Sequence, residues 1–389
     1  MACSSEGLDV QEQKQRSVSF DTYTARFLTR GGDAGTTRTA VDAIPNGRSI
    51  GVYAYYHDDS FWFTKAGFNE PNFMWNQQVT YREDFGVFDY TPVKYWPNEE
   101  SDKVSFIAYY PHTPMDDGVP IDLATSPTGV LPQLDIYDVG LPTFLFAVKD
   151  NVAEQEDFMV SDLITDLPVS RAIDDDPNEP FNNLTVYDKV RFVFHHALSM
   201  VEFRVVADDD IAADLVEFQV NSLTVTDIKS CGLLKTLYNN PVTSLRWEVQ
   251  YVPHTYHFQL SEPQLLLPQT LVDEAMLTLD YKLKFKNNSS VYQYKDGTLV
   301  DMGGGKFDDY PVLDLDGLKG GYTYANTASV QLNTLKNTAT GLPLTEWQYN
   351  HRYIYTIRLR ANRIEFTGTV VEWGDTDDMP YDEYDISSE

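Results

Sequence analysis

Cysteine and basic residues are both scarce in this chain, and each shortage removes a group of functions. Cysteine occurs twice, at Cys3 and Cys231. A pair so sparse and so far apart is neither a disulfide framework nor a metal-binding array, so each thiol has to be read alone. Lysine and arginine total 29 against 59 aspartates and glutamates, a formal net charge of −30. Such a surface repels nucleic-acid phosphates and anionic lipid head groups, so no nucleic-acid partner is expected. The chain also has no apolar run of the roughly eighteen residues that a membrane helix needs. Its strongest short runs, Val104–Tyr110 and Leu145–Val148, have strand length. A sustained three-to-four-residue apolar period is missing too, which leaves little room for amphipathic helices.

What is present is core material in short alternating pieces. The 389 residues are 42% hydrophobic, with 25 Tyr and 21 Phe, ample for packed cores and more than one ordinary core holds. In Leu277–Phe285 the apolar residues Leu277, Leu279, Tyr281, Leu283 and Phe285 alternate with Thr278, Asp280, Lys282 and Lys284, the pattern of a strand with one buried and one wet face. The same reading places Ile50, Val52, Ala54 and Tyr56 on one face, and likewise Val190, Phe192 and Phe194; Val201, Phe203 and Val205; and Tyr353, Tyr355, Ile357 and Leu359. Punctuation by 20 Pro and 22 Gly fits antiparallel sandwiches with many short connections. The expected fold is all-β, with two β-sandwich domains of transthyretin-like or Greek-key type in tandem. The charged, proline-bearing stretch Arg171–Pro180 sets the division at about 180–187. The domains are thus expected at 31–185 and 186–375, after an amino-terminal segment 1–30 and before an acidic tail 376–389. That tail reads either as disordered or as a segment that docks in a groove through Met379, Tyr381, Tyr384 and Ile386.

Signals for catalysis are missing. There is no Gly-x-Ser-x-Gly turn and no Cys beside a His, so no catalytic residue is expected. Gly303-Gly304-Gly305 lacks the strand and Lys-Ser/Thr of a phosphate cradle and reads as a loop. His254 and His257 lie between prolines 253 and 263, which favours a loop or short strand over a helical metal pair. His195 and His196, adjacent on a strand, point to opposite faces. Asp314-Leu315-Asp316-Gly317 begins like a calcium loop but lacks the distal Glu. No metal or other cofactor is expected. Cys231, beside Gly232, reads as a small apolar residue of a sheet. Cys3, after Ala2 and before a polar stretch, fits the lipid-bearing cysteine of a processed bacterial lipoprotein. The aromatic cluster Phe61-Trp62-Phe63, with Phe68, Phe73, Met74 and Trp75, is the best candidate for ligand contact. Exposed, Trp62, Phe63 and Trp75 can stack on sugars or seat a protein; buried, they fill a core.

A series of segments stands in a recognisable order: Ser17-Val18-Ser19-Phe20 leading to Thr29-Arg30-Gly31-Gly32, the strand Ile50–Tyr56, and Lys94-Tyr95-Trp96-Pro97 followed by Val104–Pro111. Val190–Leu198, Tyr353–Ile357 and Gly368–Trp373 continue it. Together they resemble the fimbrillin-like family of Bacteroides and Porphyromonas relatives, whose members are pilus subunits and related surface lipoproteins. The resemblance implies two β-sandwich domains, an outer-membrane lipid anchor, and removal of an amino-terminal segment by cleavage after an arginine. It also implies assembly with other pilus subunits by strand exchange, with a host protein or glycan as a further partner. Arg30 is the matching cleavage residue, with Arg26 and Arg38 as alternatives, and Val18–Thr24 is the removable strand. A different outcome is a glycan-binding outer-membrane lipoprotein that does not polymerise. The tail makes a poor donor strand, because its apolar residues change phase between Tyr381 and Tyr384.

Overall fold

The computed structural model describes residues 17–24, 44–58, 71–97, 101–113, 129–134, 140–168, 189–207, 216–239, 242–249, 253–285, 292–295, 298–301, 322–360 and 363–372. Among them the regular structure is strand, apart from short 3-10 turns at Glu83–Phe85, Val152–Glu154 and Leu332–Thr334. An all-β protein results, as the alternation predicts.

The first sheet has eight strands: β1 (Ser19–Thr24), β2 (Ser49–His57), β3 (Met74–Arg82), β4 (Val87–Asp89), β5 (Lys103–Tyr110), β8 (Met159–Ser161), β9 (Ile164–Pro168) and β10 (Lys189–His196). Its spatial order is β1-β10-β8-β5-β2-β3-β4, with β9 beside β5. A second sheet is made of β6 (Gly129–Leu134), β7 (Pro142–Ala147), β13 (Cys231–Asn239) and β14 (Val242–Val249), in the order β14-β13-β7-β6. A third, β16-β11-β23-β24, takes β11 (Ser199–Ala207), β16 (Gln264–Leu266), β23 (His351–Arg360) and β24 (Arg363–Glu372). The fourth, β15-β12-β18-β21, takes β12 (Val216–Lys229), β15 (Pro253–His257), β18 (Met276–Phe285) and β21 (Tyr322–Gln331). Two small ladders complete the set, β17 (Gln269–Thr270) with β22 (Glu346–Trp347) and β19 (Tyr292–Lys295) with β20 (Thr298–Asp301).

The strands form where alternation predicts them, but burial differs from strand to strand. In β10 the even positions Val190, Phe192, Phe194 and His196 are buried and the odd ones are half-exposed, the one-sided pattern expected. In β2 nearly every residue is buried, so the expectation of a wet face fails there, and the apolar run of β5 is buried as fully. Ile50, Val52, Ala54, Val104, Phe106 and Ala108 turn to one core, shared with Val190 and Phe192. The intervening Tyr53, Tyr55, Ile107 and Tyr109 turn to a second core, shared with Phe144, Phe158, Val201, Phe203, Leu277 and Tyr355. Tyrosine serves on this second face because its ring fills the core while its hydroxyl finds a partner; that of Tyr55 donates to the Gly140 carbonyl at 2.7 Å.

Among the described residues three strand pairings cross the expected division near 180–187: β1 with β10, β10 with β8, and β7 with β13. β10 returns to the first sheet between β1 and β8, so the chain leaves that sheet after His196. β7 pairs with β13, placing Leu145 opposite Leu233, so one sheet draws on both sides of the division.

Candidate functional site

The two ends of the first sheet, β1 and β4, are brought together by the sequence around β1. Ser17-Val18-Ser19-Phe20 alternates polar and apolar residues, so Val18 and Phe20 share one face, and both are buried. β1 lies parallel to β10, with Ser19 opposite Lys189 and Thr24 opposite Phe194. On its other flank Ser17 bridges Tyr95 in the antiparallel sense. The Val18 N–H donates to the Lys94 carbonyl at 2.9 Å, and the Tyr90 hydroxyl donates to the Val18 carbonyl at 2.7 Å. The segment that follows β4 therefore closes against the start of β1, and β1 seals the gap between it and β10.

Phe20 is the plug. It is 1% exposed and sits among three rings: stacked on Phe192 at 5.6 Å, tilted against Tyr90 at 5.5 Å and edge-on to Phe106 at 6.2 Å. Trp96 lies edge-on to Phe106 at 5.8 Å and closes the floor. Burial pushes the Tyr90 phenol up, further from neutral pH, where a phenol is already protonated and able to donate. Burying Val18 and Phe20 is worth about 2 kcal/mol each. This arrangement presents no nucleophile or acid–base pair. It seats β1 itself, with ladder hydrogen bonds to β10 on one edge and apolar side chains beneath.

The other residues singled out from the sequence lie elsewhere. Cys3, Arg26, Arg30, Arg38, Trp62 and Phe63 fall outside the described residues, as do Gly303–Gly305 and Asp314–Gly317. Trp75 is on β3 and 52% exposed, next to the bulge where the β2–β3 register shifts between Val52 and Ala54. Its neighbours divide: Met74 is in the core, and Phe73 is half-buried with the Lys94 Nζ 5.9 Å over its ring. Cys231 is a buried free thiol at the start of β13, and burial pushes its pKa up. His195 Nε2 lies 3.1 Å from Asp162 and His196 Nδ1 2.6 Å from Asp157, so the two rings take separate carboxylates. His254, on β15, is 2.9 Å from Asp150, while His257 is exposed. The sequence gives no sign of the role of Tyr90, because its partner Val18 is 72 residues away and no local spacing connects them.

Known proteins resemble this chain in sequence and, in one solved structure above a TM-score of 0.5, in fold. The sequence pattern described as fimbrillin-like matches residues 37–373. The fimbrium subunit Fim1C of Phocaeicola vulgatus is 26% identical, over 95% of this chain and 92% of that protein. A fimbrial protein from Bacteroides vulgatus superposes with a TM-score of 0.51 at 17% identity, covering 92% of this chain and 100% of that one. The fimbrilin of Porphyromonas gingivalis covers 92% of this chain and 98% of its own at 12% identity and a TM-score of 0.40. With the family pattern spanning most of the sequence, the chain belongs to the fimbrillin-like family.

Proposed function

We propose that this chain is a structural or adhesive subunit of a cell-surface fimbria and that it joins its neighbours by exchanging β1. The observation that carries the reading is the way β1 is held. It has a ladder to β10 on one flank and, among the described residues, the Ser17–Tyr95 bridge with the Val18 bonds to Lys94 and Tyr90 on the other, and Val18 and Phe20 are buried beneath it. A strand held in this way can leave without dismantling the second core, to which none of its described side chains belongs. Its loss exposes unpaired backbone groups on β10 and the pocket between Phe192 and Tyr90, which an extended segment of another subunit can fill. Cleavage after Arg30, beside Gly31-Gly32, frees β1 from the following chain, and acylation at Cys3 tethers the uncut protein to the outer membrane. A tip, anchor or accessory position suits the chain at least as well as the stalk, given the phase change in its tail.

Treatment of the full chain with an arginine-specific protease tests this reading. The expected result is a cut after Arg30 followed by larger assemblies in gel filtration. A trimmed chain that stays monomeric under all conditions overturns the polymer reading.

The exposed Trp75 favours a second reading, a glycan-binding surface lipoprotein that does not polymerise. It requires glycan binding by the uncut monomer that is lost in Trp75→Ala.

A further inference from the structure

We propose that the outer face of the third sheet is a docking surface for this chain's own acidic carboxyl-terminal stretch, residues 374–389, held there by Arg204 and Arg352. The inference stands apart from the exchange of β1, since it concerns the opposite end of the chain and a different sheet.

The third sheet turns Val201, Phe203, Tyr353 and Tyr355 to the larger core. Alternation puts Glu202, Arg204, Arg352, Ile354 and Arg358 on its other face. In a chain of net charge −30 this face has a local excess of the opposite sign. Arg204 and Arg352 share the carboxylate of Glu202, so two cations meet one anion. Arg358 stands opposite Glu365, which balances it. The surplus positive charge therefore lies with Arg204 and Arg352, toward the end of the face where β23 begins.

That end is also short of partners. Arg352 Nε and both side-chain amide atoms of Asn350, which is 1% exposed, make no hydrogen bond among the described residues. Buried polar atoms are ordinarily met by a partner, and those that are not mark a place where one is missing. β24 ends at the same place, with Val371 paired to Arg352 and Glu372 paired to His351, the residue between Asn350 and Arg352.

The sequence that continues from Glu372 has the matching chemistry. It contains Asp375, Asp377, Asp378, Asp382, Glu383 and Asp385 and no lysine or arginine. Gly374 offers a turn at which the chain can fold back. β23 and β11 lie about 5 and about 10 Å from β24 across the sheet, and five residues of extended chain span about 17 Å, so Asp377 and Asp378 can reach both arginines. The average surface has the same sign as the stretch and repels it, which leaves this face as the favoured seat. Attachment at Glu372 makes the contact intramolecular, so a few weak ion pairs suffice and the same stretch of a second copy competes poorly. The docked stretch covers the arginines, offers Asn350 a peptide group that both donates and accepts, and stays on its own subunit until salt or a basic surface releases it.

The test is arginine footprinting of the full chain with phenylglyoxal, read residue by residue by mass spectrometry. It compares the parent with a neutral-tail protein in which Asp377, Asp378, Asp382, Glu383 and Asp385 are replaced by Asn or Gln. At low salt Arg204 and Arg352 are expected to react about threefold faster in the neutral-tail protein, while the exposed Arg82 and Arg246 react alike in both. Raising the salt to about 0.5 M is expected to abolish the difference. The parent's own salt response, normalised to Arg82, gives the same reading without any substitution. Protection in the parent is expected to be independent of protein concentration. Equal reactivity of the arginine pair in the two proteins at low salt overturns the docking. Protection that grows with protein concentration overturns the tethered arrangement and assigns the stretch to a second copy. Neither result bears on cleavage after Arg30, so failure here leaves the β1 reading standing.

Discussion

Gly51 sits opposite Tyr109 on the β2–β5 ladder, and the tyrosine ring crosses the space that a side chain would occupy. A Cβ at Gly51 would lie 2.1 Å from Tyr109 Cε1 and 2.8 Å from Asn76 Oδ1. The ring has little freedom to withdraw, because its hydroxyl is 2.8 Å from Asn76 Oδ1 and 2.9 Å from the Thr113 carbonyl. Asn76 itself has φ 44°, a conformation asparagine tolerates better than most residues. Gly51→Ala is therefore expected to lower stability by about 1–3 kcal/mol, read as a lower midpoint in thermal or denaturant unfolding. An unchanged midpoint would show that the ring can move aside. The strand Ile50–Tyr56 was legible in the sequence, but the need for glycine within it was not, since the ring that enforces it comes from another strand.

At the scale of the element, the seam between β11 and β23 shows how a sheet carries an ion-paired carboxylate on the face opposite the larger core. The strands run parallel, with Val201 opposite Tyr353 and Phe203 opposite Tyr355. On the opposite face of β11 the carboxylate of Glu202, 2% exposed, accepts hydrogen bonds from Arg204 and Arg352. Burial pushes the Glu202 pKa up, but the two guanidinium groups outweigh it and hold the carboxyl below its ordinary range. A folded-state pKa below the unfolded value adds stability that is fully present above the unfolded pKa and is lost as the pH falls through the folded one. Glu202→Gln is thus expected to cost about 1–3 kcal/mol at neutral pH and to narrow the gap to the parent as the medium is acidified through the carboxylate range. Parallel pH–stability curves for the two proteins would contradict that assignment.

The elements also show which kinds of pattern a sequence displays. β10 was readable residue by residue, since its buried Val190, Phe192 and Phe194 alternate with half-exposed positions. β2 was half readable: Tyr53 and Tyr55 look like surface residues in an alternating strand, and only their partners in the second core reveal the second buried face. The candidate site divided in the same way. Val18–Thr24 could be named as a strand from its own residues and the family resemblance, whereas the slot for Phe20 is assembled from Tyr90, Phe106 and Phe192, which no local spacing relates.

For the molecule as a whole, the larger core joins residues from both sides of the expected division. Trp247 lies edge-on to Phe146 and Phe158, each at 6.2 Å, and its indole N–H donates to the Ala197 carbonyl at 2.8 Å. A chain of 389 residues ordinarily divides into independently melting parts, but a shared core makes each part stabilise the other. Calorimetry on the intact chain is expected to show a single cooperative transition. Trp247→Ala is expected to shift that whole transition downward, and two well-separated transitions in the parent would refute the coupling.

The parallel ladder between β1 and β10 has a mechanical consequence. Tension along the axis of β1 loads the pairs from Ser19–Lys189 to Thr24–Phe194 in shear, so the rungs must slip together while the ring of Phe20 is dragged from between its neighbours. Tension across the axis would open the same rungs one after another, at far lower force. Any strand that takes the place of β1 in the same direction inherits this anisotropy, and a joint built there grips hardest when it is pulled lengthwise.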